Sequence, residues 1–155
     1  MRTTRTDLVR LLLAAAAVYL GVIGVALLVV PAQFGVNAVP RDPAPELVSL
    51  LRLLSGPFLG IAVLNWLTRT SRPSAARAPV LLANLIGFGV VAANDIVGII
   101  TGDARDLARI FVVVHVAFAV AFAVAWTRSA PRPPRGPTDG SGAGRAHPGD
   151  GQASA

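Results

Sequence analysis

The sequence predicts an all-α fold, a four-helix transmembrane bundle with both termini on the cytoplasmic side and a disordered carboxy-terminal tail. Three observations predict it. Four apolar stretches each approach the ~20 residues that a membrane-spanning helix needs. Arginines concentrate in alternate connections between those stretches. Of the 155 residues, 54% are hydrophobic and only 14% charged, with a mean hydropathy of +0.63, which leaves too few polar groups to cover a water-facing surface where about 25% charge is usual.

The first span is expected at residues 8–30, ending at Pro31. Its basic start, Arg2, Arg5 and Arg10, fits a secretory signal, but the apolar run exceeds the ~7–15 residues of such signals and no small-x-small cleavage site follows, so it is read as a retained helix. Residues 1–7 form a short cytoplasmic amino terminus. Pro31, Pro40, Pro43 and Pro45 make the next connection a loop of poor helical potential. The second span follows at 46–68, with Pro57 inside it favouring a kink. The third, at 79–101, starts on Pro79, a good first-turn residue. The fourth is placed at 107–127. Together the spans make one domain, 8–128. The Pro-, Gly-, Ser- and Arg-rich segment 129–155 cannot bury a core and is expected to be a disordered cytoplasmic tail.

Orientation follows from arginine placement. The amino terminus holds Arg2, Arg5 and Arg10, the middle loop Arg69, Arg72 and Arg77, and the tail Arg128, Arg132, Arg135 and Arg145. The other two loops hold Arg41, Arg105 and Arg109, offset by Asp42, Glu46, Asp103 and Asp106. Ten arginines against three is a positive-inside bias that places both ends in the cytoplasm and Trp66 and Trp126 at the cytoplasmic interface. The net charge of +6 is therefore a topology signal, and no nucleic-acid partner is expected. The lipid bilayer is the expected environment, as a multi-pass protein of a bacterial cytoplasmic membrane.

Small residues let helix backbones approach where lipid gives no hydrophobic drive for association. Gly21 and Gly24, with Ala14 and Ala17, form such a seam on the first span. Gly56 and Gly60 form a GxxxG pair on the second, with Ser49 on the same side. Gly87 and Gly98 lie near one face of the third. These seams serve packing within the bundle, or association into a homodimer.

Charged groups at membrane depth cost roughly 2.5–3.5 kcal/mol each, so they pair or serve function. Arg52 lies six residues in from Glu46 and Asp95 six before Thr101, which puts both roughly 9 Å below the exterior boundary. They are expected to meet as a salt bridge, with His115 of the fourth span able to approach the same pair. Asn65 and Asn84 match in depth nearer the cytoplasmic side and form a second expected pair. Asn84 and Asp95, about three turns apart, share one face of the third span. Arg52, Asp95 and His115 are either a register-fixing structural group or the lining of a polar cavity open to the exterior. Tyr19, in the middle of the first span, is read as a packing residue.

No GxSxG, HExxH, P-loop or GxGxxG motif is present. His115 is the only histidine in a span, so a haem or metal site lacks ligands. Without cysteine there is no thiolate chemistry. Neither an enzymatic activity nor a cofactor is expected.

The first span ending in Pro31 and then Phe34-Gly35, the stretch Leu51-Arg52-Leu53-Leu54-Ser55-Gly56 opening the second, and Asn65-Trp66 closing it resemble small bacterial four-helix membrane proteins of the DoxX-like kind and related families of unknown function. The resemblance covers about residues 10–127 of the chain. It implies a four-helix bundle acting as an accessory or structural subunit and, as in some members, association with a larger quinone-linked oxidoreductase complex. In size and span number the chain is also similar to small multidrug-resistance exporters, which rely on a carboxylate in the first span; residues 8–30 hold none. The alternative function is a small proton-coupled transporter, or a quinone-binding redox accessory subunit, using Arg52, Asp95 and His115.

Overall fold

In the computed structural model the described residues are 3–34, 39–40, 42–71, 77–102 and 108–129. All secondary structure among them is helical: α1 Thr3–Val29, α2 Pro31–Phe34, α3 Pro45–Thr68, α4 Arg77–Thr101 and α5 Ala108–Ser129. Four of these are long and apolar enough to cross a membrane, over Asp7–Val29, Pro45–Thr68, Arg77–Thr101 and Arg109–Ser129. The expected tail lies beyond Ser129, outside the described residues, as do the loop residues Arg41, Arg72 and Arg105.

The helix ends follow local chemistry. α1 stops before Pro31, and one further turn forms from Pro31 to Phe34 inside the stretch expected to be non-helical. Proline at the first position of a helix lacks only an N–H that would be unpaired there anyway, so Pro31 starts this turn rather than preventing it. α3 starts on Pro45 in the same way and runs on through Pro57, whose missing N–H leaves the Leu53 carbonyl without its helical donor. At the far end the Arg69 N–H closes onto the Asn65 carbonyl at 3.0 Å. α4 ends at Gly102, whose φ of +80° is the left-handed conformation that glycine alone adopts without a Cβ clash at a helix terminus.

The four long helices pack as two intimate pairs, α1 on α3 and α4 on α5, with narrower approaches of α1 to α5 and α3 to α4. Gly24 sets the first pair. A Cβ there would stand 2.8 Å from Leu59 Cγ and 3.2 Å from the Leu59 backbone nitrogen, so α1 and α3 come closer than any larger residue allows. Gly21 faces Ala62 on the same seam. Gly56 and Gly60 do not join it. Both are exposed, and an added Cβ at either would meet nothing within 4 Å. Gly87 is open in the same way; α4 turns Phe88 and Ala92 inward instead.

The core runs along the axis between the pairs. Leu13, Ala16 and Leu20 of α1 meet Ala62 of α3, Val80, Leu81 and Phe88 of α4, and Phe122 and Ala125 of α5. Phe88 stacks on Phe118 at 4.5 Å and on Phe122 at 5.8 Å between ring centroids, and offset aromatic stacking of this kind adds about 0.5–1.5 kcal/mol beyond area burial. Aliphatic side chains elsewhere point outward, such as Leu53 at 74% and Ile100 at 78% exposure. An apolar exterior of this extent matches a lipid solvent, in which outward leucine carries no penalty.

Candidate functional site: two polar units across the bundle

Each narrow approach between the helix pairs is held by a hydrogen-bonded side-chain unit. Between α3 and α4, the Asn65 amide donates from Nδ2 to Asn84 Oδ1 at 2.8 Å, and Asn84 Nδ2 donates back to Asn65 Oδ1 at 2.7 Å. Asn84 Nδ2 also reaches the Val80 carbonyl one turn back, at 2.8 Å. Both residues are buried. This is the pairing that their matched depths predict, and it is closed: each amide supplies what the other requires.

The second unit joins three helices. His115 of α5 lies between Asp95 of α4 and Tyr19 of α1. Its Nδ1 is 2.6 Å from Asp95 Oδ2, and its Nε2 is 2.6 Å from the Tyr19 hydroxyl. A carboxylate at Asp95 can only accept, so Nδ1–H donates to it, and a neutral imidazole then accepts from the Tyr19 hydroxyl at Nε2. His115 is buried and the Asp95 side chain retains 17% exposure. Phe111 stacks on the imidazole at 6.1 Å, and Tyr19 meets Phe118 at 5.5 Å. Phe88 and Phe118 thus flank the unit on the side toward the Asn pair, and Phe111 on the opposite side.

The expected Arg52–Asp95 bridge does not form. Asp95 pairs with His115, and Arg52 is exposed with no ion-pair partner among the described residues. The reason lies in helix geometry. Arg52 and Asn65 are thirteen residues apart, which at 100° per residue leaves them about 140° apart around α3. Asn84 and Asp95 of α4 differ by only about 20°. α3 can therefore offer α4 either Asn65 or Arg52, and the amide pair takes the interface. Ser55, one turn below Arg52, is buried and its hydroxyl donates to the Arg52 carbonyl at 2.5 Å, a back-bond within α3. Asn94 faces outward.

Two residues acquire roles that the sequence did not suggest. Tyr19 is a hydrogen-bond partner as well as a packing ring. Its mid-span position was visible, but nothing in the sequence says that α1 borders α5. Arg77, counted among the loop arginines, is 4% exposed. It donates to the Ser71 carbonyl at 3.4 Å, while its Nε and Nη2 meet no acceptor among the described residues. Arg69 lies over the Trp66 ring, 3.4 Å from its centroid, and donates to the Trp66 carbonyl, an arrangement suited to an interfacial indole.

What can the site do? No group of three metal-ligating side chains occurs among the described residues. One open groove runs between α1 and α3 along Ala17, Gly21, Leu59 and Trp66; another lies on α3 at Pro45, Glu46, Ser49 and Leu53. Neither touches Asp95, His115 or Tyr19. The three-residue unit is a continuous donor–acceptor line, able to hold helices in register or to relay a proton along its length. No family model, no curated protein and no solved structure matches this chain.

Proposed function

We propose that this chain is an accessory or structural four-helix subunit of a bacterial cytoplasmic membrane, of the DoxX-like kind, acting beside a partner without turnover of its own. Its termini lie in the cytoplasm, as the arginine distribution requires. The observation that supports this reading is that the polar side chains of the two bridging units satisfy one another. Asn65 with Asn84, and Tyr19 with His115 and Asp95, each bridge one boundary between the helix pairs. Polar groups arranged so specify which helices meet, a role that apolar packing in lipid fills poorly.

The alternative, a small proton-coupled transporter or quinone-binding redox subunit, draws on one specific feature. The hydrogen-bonded line starts at the partly exposed Asp95 and ends at Tyr19 in the middle of α1. Arg52 has no part in that version.

Purified protein in liposomes under an imposed pH gradient separates the two. The accessory reading expects no Asp95-dependent proton flux, and expects Asp95→Asn to lower the melting temperature and the membrane abundance. Flux in the parent protein that Asp95→Asn abolishes, with the melting temperature unchanged, would overturn it.

A further inference from the structure

α3 is the least enclosed of the four spans: 11% of its most apolar stretch is buried, against 33%, 28% and 17% for α1, α4 and α5. Its uncovered side has a definite composition. At 100° per residue, Ser49, Leu53, Gly56, Gly60, Val63 and Leu67 all fall within about 40° of Ser49. Every one of them is exposed. The arc lies opposite the buried Ser55, Ala62 and Asn65. Two charged residues border it. Glu46 sits about 60° to one side and Arg52 about 60° to the other. Both are exposed, and neither has an ion-pair partner among the described residues. An open concavity follows this face along Pro45, Glu46, Ser49, Leu50 and Leu53.

We infer that this face of α3 is the interface of a symmetric homodimer, in which Arg52 of each copy pairs with Glu46 of the other. Charge complementarity selects the second copy. Copies inserted with the same topology present α3 in parallel, related by a two-fold axis along the membrane normal. Under that operation the flank of one helix that carries Glu46 meets the flank of the other that carries Arg52, twice per dimer, as an isologous interface requires. The two residues differ by about 9 Å along the axis, a separation that the long arginine largely covers, since side chains on a helix lean toward its N-terminus, here the end that carries Glu46. Gly56 and Gly60, open on this side, allow close backbone approach below the charges. Among the described residues of a single copy Arg52 is a guanidinium at membrane depth without a counter-ion, and the carboxylate matched to it in depth, Asp95, is taken by His115. The dimer supplies the missing partner.

The full chain in bilayers tests this by cysteine cross-linking, with no native cysteine to remove. L53C, in the arc, is expected to form an oxidised dimer, and V120C, exposed on α5, is not. In the L53C background, E46R or R52E alone is expected to lower the dimer fraction roughly five- to thirty-fold, and E46R/R52E together to restore it. Absence of the L53C dimer, cross-linking only to other proteins, or a dimer insensitive to Glu46, which would assign Arg52 to lipid phosphate, each overturns the proposal. Should R52E fail to reach the membrane, E46Q and E46R decide alone, and an unchanged dimer fraction in both overturns it.

Discussion

Asp95 and Arg52 lie at matched depths on neighbouring helices, yet they end in opposite surroundings. The region around Asp95, between α1, α4 and α5, is closed. Its carboxylate meets His115, the imidazole meets Tyr19, and aromatic rings pack beside both. The region around Arg52, on the outer face of α3, is open, bordered by glycines with nothing against them. One physical rule, that ionisable groups in lipid need a partner, is met in the first region and, among the described residues, left unmet in the second. Unlike surroundings of this kind separate the groups that hold the bundle together from those the fold leaves on its outer face.

Glycine substitutions break the comparison most strongly. Gly24→Leu drives a side chain into Leu59 and its backbone and should destabilise the protein by about 1–3 kcal/mol, as overpacking does; reversible unfolding in mixed micelles measures it. Gly56→Ala adds a methyl where there is space and should leave the monomer unchanged or up to about 1 kcal/mol more stable, since alanine favours the helix. Equal losses at the two positions would refute the assignment of an inner and an outer glycine face.

The amide pair sharpens the closed side. Asn84→Leu strands the Asn65 amide in a buried site and should cost about 1–3 kcal/mol. The double change Asn65→Leu with Asn84→Leu removes both polar groups and should recover most of that loss in a double-mutant cycle. The smallest effect is expected at Tyr19→Phe. The ring keeps its contact with Phe118 while the hydrogen bond to His115 is lost, a change near the ~0.6 kcal/mol average for interhelical hydrogen bonds in membranes. A Tyr19→Phe loss larger than that of Asn84→Leu would mean that the three-residue line, rather than the amide pair, holds the two helix pairs together.

Parts of the site were legible without coordinates. Asn65 and Asn84 could be paired because their depths match and α3 and α4 are consecutive. Asp95 and His115 could be named because each is an ionisable group in a span. The choice of Arg52 as partner failed on a constraint already present in the numbering: thirteen residues separate it from Asn65, so both cannot face α4. Tyr19 was out of reach, because its partner belongs to the last helix in the chain and no local pattern records that α1 and α5 touch.

The sequence by itself determined how many spans there are, where they start and stop to within a few residues, and which connections carry the arginines. Those follow from hydropathy, proline placement and charge, each readable along the chain. Only the tertiary structure decided how far each helix is rotated about its own axis, and so which polar groups meet. The physical reason is the solvent. In water an apolar stripe marks the inner face of a helix, whereas spans that are apolar all round carry no such mark, and close fits such as Gly24 against Leu59, together with complementary amides, set the rotation instead.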